Sequence, residues 1–157
     1  MLNNKSLNLK NIDAFRGLSD KAFKKLESES KILEYNLGQV MAVKNKISNT
    51  CLFLIEGECR LLADLDNKIF TLGKLKPGGF IGLNSLLCSS GIENVISSTQ
   101  TQALAIPDSV ILDLYKYEPS FKDWCNKSIF VPEIYKLIER IYNESAKNDI
   151  NIVNTLA

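Results

Sequence analysis

The sequence contains no histidine. That absence removes the most frequent general base, the commonest metal-ligating side chain and the one group whose ordinary pKa lies near neutrality. Arginine is scarce, with Arg16, Arg60 and Arg140 the only three among 157 residues. Net charge is nearly absent as well, 19 Lys and Arg standing against 18 Asp and Glu. A chain so balanced carries no electrostatic footprint for nucleic acid or for an anionic membrane surface. No apolar run approaches the ~18 residues of a membrane-spanning helix, and the polar start MLNNKSLNLKN is not a signal-peptide pattern. The cysteines, Cys51, Cys59, Cys88 and Cys125, form no CxxC pair, which argues against a zinc site or a thioredoxin-like motif. Free thiols in a reducing cytosol are expected, so the localisation expected is cytoplasmic, including the cytosolic part of a membrane protein. No GxSxG, P-loop or paired-carboxylate motif is present, and no enzyme, metal or cofactor is expected.

What is there suffices for one domain: 45% of the residues are apolar, enough for a full core. Residues 1–12 read as a polar N-terminal arm. In FRGLSDKAFKKLESES, Ser19 is a natural N-cap, and Phe15, Leu18, Ala22, Phe23 and Leu26 fall at helical spacing. The period then changes. KILEYNLGQVM over 31–41 reads as strand, turn at Gly38, strand; CLFLIEGECRLL over 51–62 is β-rich, with Gly57 marking a turn or bulge. DLDN is turn chemistry, KIFTLGKL another strand, PGG a turn, and NVISSTQTQALAI further strand. Short strands at near-regular spacing indicate a barrel or sandwich. After Pro107 the helical period returns, with Val110, Ile111, Leu114 and Tyr115 on one face, a restart at Pro119, and a stripe of Ile134, Leu137, Ile138 and Ile141 that serves as core or dimer seam. The arrangement is mainly β with flanking α: a roll over about 31–106, helices over about 108–142, and a polar linker over 143–157.

Several phrases, in order, carry a resemblance. They are Phe15 to Ser19 (F-x-x-L-S), the turn at Tyr35 to Gly38, LFLIEGECRLL about Gly57, Leu75 to Gly82 (L-x-P-G-x-F-x-G), Ala103 to Ile106, and Pro119 to Phe121. Over about residues 13–142 the chain resembles the cyclic-nucleotide-binding domains of the catabolite-activator type. The resemblance implies an eight-stranded double-stranded β-helix, or jelly-roll β-roll, with a phosphate-binding cassette after the PG turn. In that family a Gly-Glu pair opens the cassette, the Glu takes the ribose hydroxyl, and amides at a helix start meet the cyclic phosphate. About ten residues on, an Arg pairs with the phosphate.

The cassette here, FIGLNSLLCSSGIENVISS, departs from that pattern. Gly82 is in place, but Leu83 stands where the Glu belongs. The Arg position falls on Gly91, Ile92 or Glu93, and no Lys or Arg occurs anywhere from Pro77 to Tyr115. Glu93 is expected to repel a phosphate. Losing both partners would cost on the order of 3–6 kcal/mol, two to four decades of affinity. Cyclic AMP and cyclic GMP are therefore not expected as ligands, the one route left open being a cation from elsewhere in the fold or from a partner subunit. Asn84 and Ser85 either cap the helix start or offer hydrogen bonds to a neutral ligand. Arg60 is expected in solvent, with Cys59 and Leu61 inward; Cys88 is expected in an exposed loop.

The function expected is that of a regulatory domain, sensor or interaction module, N-terminal in a larger bacterial protein such as a toxin- or bacteriocin-type ABC exporter. The alternatives are the effector domain of a transcription regulator and a sensor of an uncharged small ligand. The partners expected are the rest of a larger polypeptide or another protein, with a homodimer through the helix after the roll as one arrangement. A cupin-type enzyme, also a β-roll, would need several histidines for its metal.

Overall fold

A computed structural model describes residues 9–65 and 68–128. Two short 3-10 turns, Leu9–Asn11 and Asp13–Phe15, lead to helix α1, Asp20–Glu29. Strands β1 (Lys31–Tyr35), β2 (Val40–Ala42), β3 (Thr50–Glu56), β4 (Cys59–Leu65), β5 (Lys68–Leu75) and β6 (Phe80–Ile81) follow. Then come helix α2 (Leu83–Leu87), strands β7 (Val95–Ser97) and β8 (Thr101–Pro107), and helices α3 (Asp108–Tyr117) and α4 (Pro119–Ser128). The strands form two four-stranded sheets, β1-β8-β3-β6 and β2-β7-β4-β5, antiparallel throughout. This is the mainly β roll with flanking helices that the sequence indicates. The stretch NVISSTQTQALAI divides at residues 98–100 into two strands, one in each sheet.

The inner strands of the first sheet, β3 and β8, are buried on both faces, which explains why they read as apolar runs rather than alternations. In β3, Cys51 and Phe53 face the helices while Leu52 and Leu54 face the second sheet. In β8, Leu104 and Ile106 face the helices while Ala103 and Ala105 face inward. The inward set meets Cys59 and Leu61 of β4, Ile81 of β6 and Val95 of β7. Arg60 between them is exposed, as the strand alternation requires.

On the helical side, aromatic rings make the joint. Phe15 lies 5.4 Å from Phe53 and 5.9 Å from Phe80, ring centre to ring centre, and Phe80 lies 5.4 Å from Trp124. Phe15 and Phe121 are almost fully buried, so the helices are fixed to the roll through this cluster. The helical spacing of Phe15 with Leu26 does not make one helix: Gly17 has a φ of +86°, and α1 begins only after Ser19, whose Oγ accepts from the Ala22 amide at 3.3 Å. Phe15 belongs instead to the preceding turn. Ser19 is also tied to the end of α3, donating through its N and Oγ to the Glu118 carboxylate at 2.9 and 2.7 Å.

Of the N-terminal arm expected over residues 1–12, residues 9–12 pack on the domain, and residues 1–8 lie outside the described residues. Leu9 is buried in the aromatic-side core, and the Lys10 ammonium sits 5.0 Å from the centre of the Phe23 ring. Leu9, at the start of the first turn, and Ile12, just before the second, are held by that core, so 9–12 belong to the domain. The stripe Ile134 to Ile141, the rest of the helical region to 142, and the linker over 143–157 lie outside the described residues.

Replacing Phe15 with Ala should remove the ring shared by the turn, the first sheet and α4. A loss of about 3–5 kcal/mol in urea unfolding is expected. An unchanged midpoint would show that the N-terminal turn is not integral to the fold.

Candidate functional site

The cassette begins where β6 ends. Gly82 has a φ of +85°, a left-handed backbone that L side chains rarely adopt. The chain turns there into α2, and the amides at the start of this short helix lack partners within it. Those partners come from eleven residues further along the chain. Glu93, 5% exposed, accepts from the Gly82 amide through Oε1 at 3.0 Å, and from the Ser85 amide and hydroxyl through Oε2 at 3.0 and 2.8 Å. Ser85 Oγ in turn accepts from the Ile92 amide at 3.1 Å. Among the described residues no lysine or arginine pairs with this carboxylate.

Burying a carboxylate without hydrogen bonds is prohibitive; accepting three of them, two from backbone amides, makes it tolerable. The expectation that Glu93 repels an anion from this place is thus replaced by a stronger statement: Glu93 is itself the anion at the start of α2. For Ser85, the choice between capping the helix start and donating to a ligand also resolves. Ser85 spends its hydroxyl on Glu93 and Ile92, and the helix start is capped by Glu93 rather than by a neighbour in sequence. Leu83 is buried in the aromatic-side core at 2% exposure and points to no ligand. Asn84 is half-buried.

The return segment is equally constrained. The Gly91 carbonyl accepts from the Asn45 amide at 2.7 Å, and a Cβ on Gly91 would lie 2.2 Å from the Lys46 backbone nitrogen. Only a residue without a side chain lets the cassette pass this close to the loop after β2. Asn45 there has a φ of +67°.

Beside this arrangement lies an open cleft of about 180 Å³. Leu52, Ile81 and Ser85 form its buried wall. Val40, Val43 and Lys46 stand at its exposed mouth. Gly82 and Ser85 therefore border the cleft, whereas Gly91, Ile92 and Glu93 do not line it. Lys46 was not singled out by sequence reasoning: it lies some forty positions before the cassette, and only the tight packing of Gly91 on the loop brings it here. Among the described residues it is the one cation of the cleft lining.

The thiols divide as the sequence suggests. Cys88 is exposed, and the other three are buried. Burial, aided by the charges of Glu93 and Asp108, pushes the Cys51 thiol up to about 12, and burial pushes Cys125 to about 12. Burial also raises Cys59, which sits 3.2 Å from the Met41 sulfur. Such thiols stay protonated and unreactive at neutral pH.

Residues 32–118 match the sequence pattern of the cyclic nucleotide-binding domain. The chain belongs to this family. Among solved structures, a cyclic nucleotide-binding protein from Geobacter metallireducens GS-15 is similar with a TM-score of 0.65 at 16% identity, over 87% of this chain and 99% of that one. The catabolite activator protein of Thermus thermophilus is similar with a TM-score of 0.58 at 19% identity, over 90% of this chain and 63% of that one. The regulatory subunit of a cAMP-independent protein kinase A from Trypanosoma brucei is similar with a TM-score of 0.59 at 15% identity, over 76% of this chain and 48% of that one. At these identities the likeness is one of fold. No curated protein matches the chain by sequence. The cyclic nucleotide-binding-like domain is regulatory in kind, and its family is generally non-enzymatic.

Two outcomes follow from this geometry. Glu93→Ala leaves two backbone amides and a hydroxyl without their acceptor and should cost roughly 2–3 kcal/mol in chemical denaturation. Glu93→Gln, which keeps one acceptor oxygen but turns a donor toward donors, should fall between wild type and Glu93→Ala. In the native state iodoacetamide should label Cys88 alone, with Cys51, Cys59 and Cys125 labelled only after unfolding, as read by peptide mass spectrometry.

Proposed function

We propose that this is a regulatory module, acting through protein contacts, in which binding of cyclic AMP and cyclic GMP has been replaced by an internal anion. The observation behind this is the Glu93 carboxylate on the Gly82 and Ser85 amides. A ligand phosphate seeking the same donors would have to displace a carboxylate already bonded there, and then lie beside its charge without an arginine. Two like charges at such a distance in a partly buried site repel by several kcal/mol. Leu83, withdrawn into the core, offers nothing to a ribose.

The Trypanosoma brucei subunit gives the proposal a parallel, being regulatory in a kinase described as cAMP-independent. A triple variant of it, one of whose substitutions introduces an arginine, is bound to cAMP. In the present chain the larger context would be a bacterial protein regulated by this module, a toxin-type ABC exporter or a transcription regulator. The cytoplasm would be its compartment. The open cleft beside Gly82 and Ser85 favours a second role, as the sensor of a small ligand other than a cyclic nucleotide.

Calorimetric titration with cyclic AMP and then cyclic GMP is expected to give no heat of binding up to millimolar ligand. Binding at or below about ten micromolar, some 7 kcal/mol of affinity, would overturn the proposal and mean that Glu93 yields its place to the nucleotide.

A further inference from the structure

The cleft beside α2 has a polarity that its neighbourhood imposes. Leu52 and Ile81, 4% and 1% exposed, make its deep wall, and Val40 and Val43, 53% and 49% exposed, stand at its mouth. Branched apolar side chains left half in water around a concave apolar wall suit an occupant with an apolar body. Lys46 joins them at the mouth, exposed and without an ion pair among the described residues. Ser48 and Thr50, their hydroxyl oxygens 3.2 Å apart, add a polar flank.

The two ends of the cleft differ in sign. Ser85 on the buried wall is bonded to Glu93, so a carboxylate lies just behind that wall, in no ion pair among the described residues. The positive charge is at the mouth. An anionic group is therefore disfavoured at depth and favoured at Lys46, whereas hydrocarbon is favoured at depth. The volume, about 180 Å³, falls below the roughly 300–1,000 Å³ of sites for larger ligands. The loop that carries Lys46 is not free to wander: the Asn45 amide is bonded to the Gly91 carbonyl and the Lys46 amide to that of Val43, at 2.7 and 3.2 Å.

We propose that this cleft binds a small aliphatic monocarboxylate, its chain against Leu52 and Ile81 and its carboxylate at Lys46. The inference rests on the functional reading above, because a cyclic phosphate would carry its charge to the wrong end.

The test is amide NMR of the full chain titrated separately with hexanoate, hexan-1-ol and cyclic AMP. Hexanoate is expected to produce saturable shifts centred on Val40, Lys46, Leu52 and Ser85, with hexan-1-ol about fivefold weaker at the same place. Lys46→Met should abolish that preference, hexanoate falling to the level of hexan-1-ol, and Lys46→Glu should reverse it. An exposed side chain is being replaced, and the undisturbed remainder of the spectrum serves as the check of folding. Absence of saturation, shifts mapping elsewhere, or a hexanoate preference that survives Lys46→Met would overturn the proposal. Saturable shifts with cyclic AMP would instead overturn the functional reading, whatever hexanoate does.

Discussion

A carboxylate buried at 5% exposure, in no ion pair among the described residues, must be solvated by the protein itself, and the cassette is arranged to do so. Glu93 takes three hydrogen bonds from Gly82 and Ser85. Those bonds fix the start of α2, the conformation of the return segment, and, through Gly91, the loop after β2. Local choices elsewhere follow from this one. Gly82 adopts a left-handed backbone so that its amide points to the carboxylate, Ser85 supplies a hydroxyl where space is short, and Gly91 allows the loop to close on the segment that brings Glu93 in.

The same fold can thus be held in one state by part of itself. In a domain that responds to a soluble anion, the amides at the helix start are satisfied only when the ligand arrives, and the energy of that event moves the surrounding elements. Here the acceptor is covalently part of the chain, and its effective concentration at the cradle does not vary. On the functional reading proposed above, a binding event at those amides no longer serves as a signal, and the neighbouring cleft, with hydrocarbon at its depth and an ammonium at its mouth, is open to the environment.

The rest of the molecule supports this site without taking part in it. The inner strands β3 and β8 of the first sheet are buried on both faces, by the aromatic cluster of Phe15, Phe53, Phe80, Phe121 and Trp124 and by the roll interior. β6, the edge strand that delivers Gly82, pairs with β3. The cassette therefore projects from a strand whose two residues, Phe80 and Ile81, are buried and anchored on that core.

The fold was legible in the sequence because it is written in short-range patterns: glycine turns, the strand alternation that turns Arg60 out and Cys59 in, the Ser19 cap, and the order of phrases from Phe15 to Phe121. The missing cation between Pro77 and Tyr115 was equally plain, since an absence needs no alignment. Three things were not legible. Phe15 falls at helical spacing with Leu26 yet sits in a separate turn, because Gly17 reverses the chain. Leu9 looks like part of a polar arm yet is buried, because only the folded core offers it a place. Glu93 reads as a charge that repels a phosphate, and its role as acceptor depends on the Gly82 and Ser85 amides pointing at one spot. By itself the sequence determined that the cassette carries neither the Glu nor the Arg of the family pattern. The tertiary structure alone decided what holds those amides instead, and which lysine stands by the cleft, because both depend on atoms brought together across many residues of chain by the closing of the roll.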